Sequence, residues 1–400
     1  EEMVKVVLHQ SRKPDWCAAD LNALIASCRV AARRVDEMCG RFGEDEFASA
    51  TDLLLARNHR AMKHLIETSI GEDPVSFSDY ICDDGVGFGP YKISCKMWRE
   101  GGKVILDFEG TDPQAPSSIN FFLNENMFKM FFGIYMIMVF DPQILFNDGF
   151  YDLVDVRIPE GSLLKPKYPA ALAGRTHALG RIFDILGGLL GQRQPEFLNG
   201  AGFSSSPHLM YSGFDKSGEW FQLFQIGLFR GGNGIHMTYC FLEPGTVAIH
   251  DDRWFTYPWG VNGGQPGDRA TKILERADGS TEVVGNKQDG IEVREGDLLH
   301  FITWGGGGWG NPLERDPELV ALEIRQGLVT ANGARDYGVV IADDGSVDGP
   351  ATESLRTEMA KNIVETDGPF NFGPDIETLR ANCLAETGLP APVQPGSVAA

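Results

Sequence analysis

The stretch GDLLHFITWGGGGWGNPLERDPELVALEIRQGLVT, from Gly296 to Thr330, contains the kinds of local structure that decide the fold. Leu298 to Thr303 is a short β-type run, and residues 305–308 are consecutive glycines. A helix is predicted from Pro317 to Gln326, because proline suits the first turn of a helix and a glycine follows its last residue. A strand, a glycine loop and a helix in close succession indicate a fold that mixes both element types.

The glycine string between Trp304 and Pro312 has two interpretations. Glycine tolerates positive φ and close approach of the backbone, so the N–H groups of such a loop could form a nest for an anion. The string lacks the Lys-Ser/Thr pair of a phosphate-binding P-loop and does not match G-x-G-x-x-G between a strand and a helix. A tight crossing of two backbone segments explains the string at least as well.

The N-terminal quarter of the chain has helical spacing. Apolar residues recur at helical intervals from Ala18 to Gly40, and a second helix is predicted from Asp45 to Ser69. Two long helices joined across residues 40–43 predict an antiparallel hairpin. The pattern then changes to alternation, and the runs Tyr91–Trp98 and Lys103–Phe108 predict a β-hairpin.

The remainder of the chain combines buried helices with short strands. Phe121 to Phe140 predicts a helix, either a core helix or one that lines a substrate site, and another helix is predicted near Leu179–Leu190. The fold class is therefore α+β, with an N-terminal helical hairpin followed by a mixed, mostly β, glycine-rich region with a few buried helices. The predicted segments are the helical hairpin (1–72), the mixed α/β core region (73–315), the C-terminal helices (316–340) and an acidic, loosely packed tail (341–400).

The charge balance narrows the range of partners. The chain has 35 Lys and Arg against 56 Asp and Glu, a net charge of -21, which excludes nucleic acid and anionic membranes as partners. The most apolar stretch, Met130–Phe140, falls well short of the roughly 20 residues that cross a bilayer. Seven cysteines without a C-x-x-C pair indicate reduced thiols, and no signal peptide is recognised, so a cytoplasmic location is expected.

The candidate catalytic residues are Arg175, His177 and Arg181, which stand at the start of the helix predicted near Leu179. A helix N-terminus offers free N–H groups, and with two guanidinium groups and an imidazole it would suit a carboxylate, bicarbonate or phosphoryl group. The alternative is that these arginines only form structural ion pairs.

The string HDDRW, His250 to Trp254, places carboxylates beside an imidazole. Adjacent strand residues point to opposite faces, so these side chains cannot all converge on one ion. A turn or a salt-bridge cluster is favoured, and no complete metal site is predicted within the chain.

The chain resembles the hydantoinase B family, which includes the B-type components of N-methylhydantoinase, the matching half of 5-oxoprolinase and the α-type components of ketone carboxylases. The resemblance covers about residues 1 to 341. Within the family, GRTHALGRIFDILGGLLGQ (Gly174–Gln192) is more similar to the acetone and acetophenone carboxylase branch. The strings that carry the resemblance are GDLLHFITWGGGGWGNPLERDPELVALEIRQGLVT, VRIPEGSLLKPKYPAA (156–171), RGGNG (230–234), FLEPGTVAIHDDRW (241–254) and PWGVNGGQPG (258–267).

The resemblance implies a subunit of a biotin-independent, ATP-dependent ketone carboxylase that forms a β-keto acid from a ketone and bicarbonate. It implies a hetero-oligomer in which ATP is bound by a hydantoinase A-type partner. The alternatives are an ATP-dependent cyclic-amide hydrolase subunit of the N-methylhydantoinase, 5-oxoprolinase or lactamase type, and a scaffold subunit of such a complex.

Two departures from the family pattern affect these expectations. The family's initial segment supplies His and Asp ligands to a divalent metal (Mn, Zn or Mg), and because this sequence starts after that segment, no metal ligand is assigned in this chain. Several dozen family residues are also expected between Gly227 and Arg230 and are absent, so sequence is predicted to be missing near residues 227–230.

Overall fold

The computed structural model divides into two compact units, residues 1–63 with 143–150 and residues 64–142 with 151–400. Helices and sheets are both present, which confirms the predicted α+β class. The residues that the structure describes are 2–11, 14–122, 124–202, 205, 207–226, 232, 234–361 and 368–396.

The first unit consists mainly of helices α1 (Glu2–His9), α2 (Pro14–Phe42) and α3 (Glu44–Ser69), the last of which continues into the second unit. The two long helices were predicted, but their arrangement differs from the predicted hairpin. Only Gly43 separates them, and the N–H of Phe47 donates to the Gly43 carbonyl at 3.1 Å, as in a continuing helix. A helical hairpin needs a loop of about two to five residues. No residue of α2, all of which the structure describes, is buried.

The first sheet of the second unit carries the helix that is central to the candidate site. The elements are β1 (Val75–Ile81), β2 (Tyr91–Glu100), β3 (Lys103–Asp107), α4 (Glu125–Phe140), β4 (Val154–Arg157) and α5 (Thr176–Arg193). The strands pair in the order β1-β2-β3-β4, and β2 with β3 forms the predicted hairpin. Strands β1 to β3 pair antiparallel, and β4 adds parallel to β3. Helix α5 packs on β1 and β2.

Two further antiparallel sheets pack around a shared apolar core. Their strands and those of a small fourth sheet are β5 (His208–Phe214), β6 (Trp220–Ile226), β7 (His236–Cys240), β8 (Gly245–His250), β9 (Gly260–Val261), β10 (Thr271–Glu275), β11 (Thr281–Val283), β12 (Lys287–Val293), β13 (Leu298–Ile302) and β14 (Phe370–Asn371). One sheet has the order β12-β8-β5-β6 and the other β11-β10-β13-β7, and their inward residues include Leu209, Val247 and Phe301. The fourth, two-stranded sheet pairs β14 with β9.

The chain after residue 341 differs from the loosely packed tail that its composition predicts. Helix α6 (Pro317–Arg325) precedes this segment, and helices α7 (Gly349–Ala360) and α8 (Ile376–Thr387) are formed within it. In α8, Leu379 and Cys383 are buried in a cluster with Trp254 and Phe255. The sparse apolar residues of α8 are thus placed where they contact the core, which a count of residue types cannot reveal.

The glycine string forms a backbone crossing. The N–H groups of Gly306, Gly307 and Gly308 donate to carbonyl oxygens of distant residues, so they are not available as a nest for an anion. A Cβ on Gly307 would lie 1.8 Å from the carbonyl oxygen of Trp259, a distance that no side chain can adopt. The acceptors, in the same order, are Gly232 at 2.7 Å, Ala201 at 3.0 Å and Gln265 at 2.8 Å.

Candidate functional site

Helix α5 approaches β1 closely because glycine stands at the contact. A Cβ on Gly188 would lie 2.7 Å from three ring atoms of Phe77, so any larger residue would push the helix away from the sheet. This contact brings the polar residues of α5 to the buried end of β1. The site therefore depends on the packing of one helix against one strand.

The structure places the three predicted catalytic residues in different surroundings. Arg175 is exposed at the start of α5. His177 is buried, and its Nδ1 lies 2.7 Å from the hydroxyl oxygen of Ser205. Arg181 is fully buried, and its Nε donates to the carbonyl oxygen of Tyr80 at 2.6 Å. Their catalytic role stays a prediction.

A buried ion-pair network surrounds Arg181. Its Nη2 donates to Oδ2 of Asp252 at 2.6 Å, and Nζ of Lys287 lies 2.8 Å from Oδ1 of the same carboxylate. Lys287 also contacts Oδ1 of Asp83 at 3.0 Å. Burial alone would raise the pKa of Asp252, but the adjacent Lys287 and Arg181 hold it well below its usual range. The Asp252 carboxylate is therefore charged across the physiological range.

A second branch of the network centres on Arg253. Its guanidinium binds both carboxylate oxygens of Asp79, at 2.9 and 2.6 Å, and Oδ2 of Asp184 at 3.1 Å. Trp259 donates its indole N–H to Asp79 at 3.2 Å. Burial opposes the charge on Arg253, but the Asp79 and Asp184 carboxylates raise its pKa above the ordinary value. The adjacent Asp251 pairs separately with the buried Lys272 at 2.6 Å.

Only part of this network is predictable from the sequence. The HDDRW string was interpreted as a salt-bridge cluster, and Asp251, Asp252 and Arg253 do form buried ion pairs. Their partners were missed, because no spacing rule connects positions so far apart in the chain. A buried charge on a strand was the available signal, as in Asp79 within the otherwise apolar face of β1. The missed partners are Asp79, Asp83, Asp184, Lys272 and Lys287.

A cavity of about 300 Å³ lies beside α5 and is connected to the network through Asp184. The Asp184 carboxylate accepts from the N–H of Gly202 at 3.1 Å with one oxygen and from Arg253 with the other. Aromatic walls with a few polar groups are typical of sites for small molecules. The lining residues are Tyr135, Gly180, Phe183, Asp184, Gly187, Asn199, Gly200, Gly202 and Trp259.

The hydroxyl group of Tyr135 is a hydrogen-bond donor in this cavity. It lies 3.5 Å from Oδ1 of Asn199, at the limit of a hydrogen bond. Burial, reinforced by the charge of Asp184, raises the pKa of Tyr135 to about 12. The hydroxyl therefore stays protonated near neutral pH and can donate to a carbonyl oxygen or to an oxyanion.

The neutral state of His177 gives a testable pH dependence. Burial, together with the nearby Lys287, lowers the pKa of His177 well below 6.5, whereas the unfolded chain binds a proton near that pH. This contribution to stability is complete above about pH 6.5 and is lost as the pH falls. We expect His177→Gln to reduce the slope of the unfolding free energy between pH 6.5 and 5 by up to about 1.4 kcal/mol per pH unit, measured by urea titration.

His208 provides the matched comparison for this measurement. It is half-buried, and burial also lowers its pKa. His208→Gln should remove a smaller part of the slope than His177→Gln does. An unchanged slope in His177→Gln would contradict the burial of a neutral imidazole.

The described residues do not fit the divalent metal that the family resemblance implies. Among them, no group of three or more His, Cys, Asp or Glu side chains is arranged to hold a metal ion.

The described helices include none with the length and apolar character that a membrane span requires.

Known proteins of similar sequence align with most of this chain. It is 24% identical over 407 residues to the B component of a putative D-/L-hydantoinase of Pseudomonas sp. (strain NS671), covering 86% of this chain and 68% of that protein. It is also 24% identical over 421 residues to the beta component of caprolactamase from Pseudomonas jessenii, covering 89% of this chain and 72% of that protein. That alignment is longer than the chain itself, so this relative carries interior residues that the chain lacks.

Two solved structures share the fold. The ATP-dependent caprolactamase from Pseudomonas jessenii matches with a TM-score of 0.69 and 20% identity, over 89% of this chain and 72% of that one. The nucleotide-free structure of acetone carboxylase matches with a TM-score of 0.70 and 16% identity, over 96% of this chain and 65% of that one.

The sequence model of the hydantoinase B/oxoprolinase family matches residues 1–227 and 226–312. The two matched blocks meet at the position where the sequence analysis expects family residues to be absent. Together they cover about three quarters of the 400 residues. The chain therefore belongs to the hydantoinase B/oxoprolinase family.

Proposed function

We propose that this chain is the B-type component of an ATP-dependent enzyme complex that acts on the carbonyl group of a small ketone or cyclic amide. The observation that carries the proposal is the family match, together with a fold shared with a caprolactamase and an acetone carboxylase. An A-type partner would bind ATP, and phosphorylation of the substrate's oxygen would activate it. This chain would hold the substrate and exclude water.

The first candidate is a ketone carboxylase. The enolate carbon of the ketone would attack carbon dioxide released from activated bicarbonate, which forms the new C–C bond of a β-keto acid. The α5 sequence Gly174–Gln192 supports it, as does the acetone carboxylase fold over 96% of the chain. In this proposal Arg175 attracts the anion at the start of α5, and the buried His177 and Arg181 position that helix.

The second candidate is a cyclic-amide hydrolase. The specific observation in its favour is the 24% identity with both the putative hydantoinase component and the caprolactamase component. Water would add to the phosphorylated ring carbon, the ring C–N bond would break as its nitrogen takes up a proton, and the phosphoryl group would leave as inorganic phosphate to give an open-chain carboxylate. In both candidates the former carbonyl oxygen gains negative charge when its phosphoryl group is transferred to water, as the enolate of the ketone or as the new carboxylate. Both therefore need a preorganised hydrogen-bond donor near that oxygen.

We assign that donor to Tyr135 in the cavity beside α5. The cavity is large enough for a small ring, and its lining includes the aromatic side chains of Phe183 and Trp259. The protonated hydroxyl would strengthen its hydrogen bond as the oxygen gains charge. This difference between ground state and transition state is what accelerates a reaction.

The assay that separates the two candidates uses the complex with its A-type partner, ATP and a divalent metal. Labelled bicarbonate is offered with acetone, butanone or acetophenone, and ATP consumption is measured separately with hydantoin, 5-oxoproline or caprolactam. ATP-dependent label in an acid-stable keto acid supports the carboxylase. ATP consumption with ring opening, and no fixed label, supports the hydrolase. If neither activity is observed, the result supports the alternative that the chain is a scaffold subunit.

Removing the Tyr135 hydroxyl should lower kcat in whichever assay is positive. We expect Tyr135→Phe to reduce kcat about 100-fold, as for loss of one oxyanion donor, with a much smaller change in KM. The control is Tyr168→Phe, because Tyr168 is almost fully exposed. A kcat within about threefold of the wild type in Tyr135→Phe would exclude the hydroxyl from catalysis.

A second variant tests the position of the Tyr135 hydroxyl group through Gly187, which faces it from α5. A Cβ on Gly187 would lie 2.7 Å from the Tyr135 hydroxyl, so Gly187→Ala should displace it without removing it. Alanine favours the helix interior, which limits damage to α5. The control is Gly40→Ala in α2, where a Cβ meets no atom within 4 Å. Loss of activity in Gly187→Ala alone would support the assignment.

A further inference from the structure

Helix α2 carries a regular apolar repeat along one side. Its apolar positions alternate at intervals of four and three residues, which is the a/d pattern of a coiled-coil seam. The repeat continues for almost the whole helix, over a length of about 38 Å. We call these residues the α2 seam: Cys17, Leu21, Leu24, Cys28, Ala31, Val35, Met38 and Phe42.

Within the first unit, the described residues do not bury the α2 seam. Leu24 is 64% exposed and Phe42 is 52% exposed, and no residue of α2 is buried. One flank of the seam adds the apolar side chain of Ile25, which is also exposed. An apolar stripe of this length, exposed at every position except the partly buried Leu21, indicates an interaction surface.

We propose that the α2 seam pairs with the α2 seam of a second copy of this chain, with the two helices antiparallel. Antiparallel pairing brings a-type positions opposite d-type positions. Large residues then face each other in the intermediate layers, with Leu24 opposite Val35, and small residues meet at the centre, where Cys28 faces Ala31. Phe42 lies opposite the smaller Cys17 at each end. The two-fold axis repeats each contact, as in an isologous dimer.

The charges beside the seam give the orientation. The residues that precede the a-type positions include Asp20 near the start of α2 and Arg41 near its end. In antiparallel helices these flanking positions face each other, so Asp20 lies beside Arg41 of the second copy, twice by symmetry. Parallel helices would place Asp20 against the apolar side chain of Ile25 of the second copy, without an opposite charge.

The test uses the full 400-residue chain and measures its mass in solution by sedimentation and light scattering over a concentration series. We expect a dimer for the wild type. Val35→Glu in the seam should weaken dimerisation at least about 100-fold, because it buries an unpaired charge. Val30→Glu is the matched control, since Val30 is equally exposed on the other side of α2, at 44% against 45%.

Charge exchange tests the orientation. Asp20→Lys alone and Arg41→Glu alone each place like charges at both symmetric contacts and should weaken self-association. A mixture of the two variants should form a heterodimer, because both contacts then pair opposite charges. All of these positions are exposed, so circular dichroism should show unchanged folding.

Three results would overturn the proposal. A wild-type monomer up to about 100 µM would exclude a specific dimer, since even a weak interface is populated at that concentration. A dimer that resists Val35→Glu would place the interface elsewhere. A dimer that Val35→Glu disrupts, but that the mixed charge variants do not restore, would exclude the antiparallel orientation.

Discussion

Asp252→Asn is expected to destabilise the second unit by about 3–5 kcal/mol, because it leaves Arg181 and Lys287 as buried cations without their shared carboxylate. The substitution keeps the shape of the side chain, so the loss reports on charge. It would be measured as the free energy of unfolding in urea at pH 7. Because the pKa of Asp252 is depressed in the fold, this stabilisation exists above about pH 4 and is lost at lower pH. The difference in unfolding free energy between the wild type and Asp252→Asn should therefore decrease below about pH 4.

Asp155→Asn is the matched control for this prediction. Asp155 pairs with Arg157 at 3.1 Å on the surface, where both side chains are more than two fifths exposed. An exposed pair contributes little, so the control should cost less than about 1 kcal/mol. Equal effects of the two substitutions would mean that water reaches the network around Arg181.

Gly307→Ala is the second substitution with a large expected effect. The added methyl group would lie 1.8 Å from the carbonyl oxygen of Trp259 and 2.5 Å from its carbonyl carbon. Backbone atoms cannot rotate away as a side chain can, so the crossing must separate and its hydrogen bonds must break. We expect a loss of at least about 3 kcal/mol in unfolding free energy, at the upper end for overpacking.

The neighbouring Gly306 provides the control within the same string. A Cβ there would lie 3.3 Å from its nearest atom, the carbonyl oxygen of Ala201, which a small shift accommodates. Gly306→Ala should therefore cost less than about 1 kcal/mol. If Gly307→Ala lowered the unfolding free energy no more than Gly306→Ala, the backbone of Gly307 would not lie against the carbonyl group of Trp259.

Local patterns in the sequence predicted the elements better than their arrangement. The alternation from Tyr91 predicted the β2–β3 hairpin, and the helical spacing near Leu179 predicted α5, because both signals lie within a few turns of chain. The prediction that α2 and α3 form an antiparallel hairpin failed for a physical reason. Helical spacing shows that a stripe is apolar, but it does not show what covers the stripe.

The candidate site was less predictable, because its contacts join distant parts of the chain. The guanidinium and imidazole groups at the start of α5 were found, but not the carboxylates that hold Arg181. Asp252 lies 71 positions from Arg181, and Asp79 lies 174 positions from Arg253. The cavity beside α5 also depends on α4 and on the loop around Asn199, whose proximity is a property of the packed unit.

The backbone crossing at the glycine string has a consequence for synthesis on the ribosome. Gly307 and Gly308 donate to the carbonyl groups of Ala201 and Gln265. These acceptor residues are synthesised before the glycines, so their hydrogen bonds cannot form until the glycine string has been made. Contacts of such high sequence separation form slowly and late in folding. A nascent chain that ends before Gly308 leaves these acceptors unpaired. We therefore expect the second unit to fold only after this segment has left the exit tunnel, and to need protection from aggregation until then.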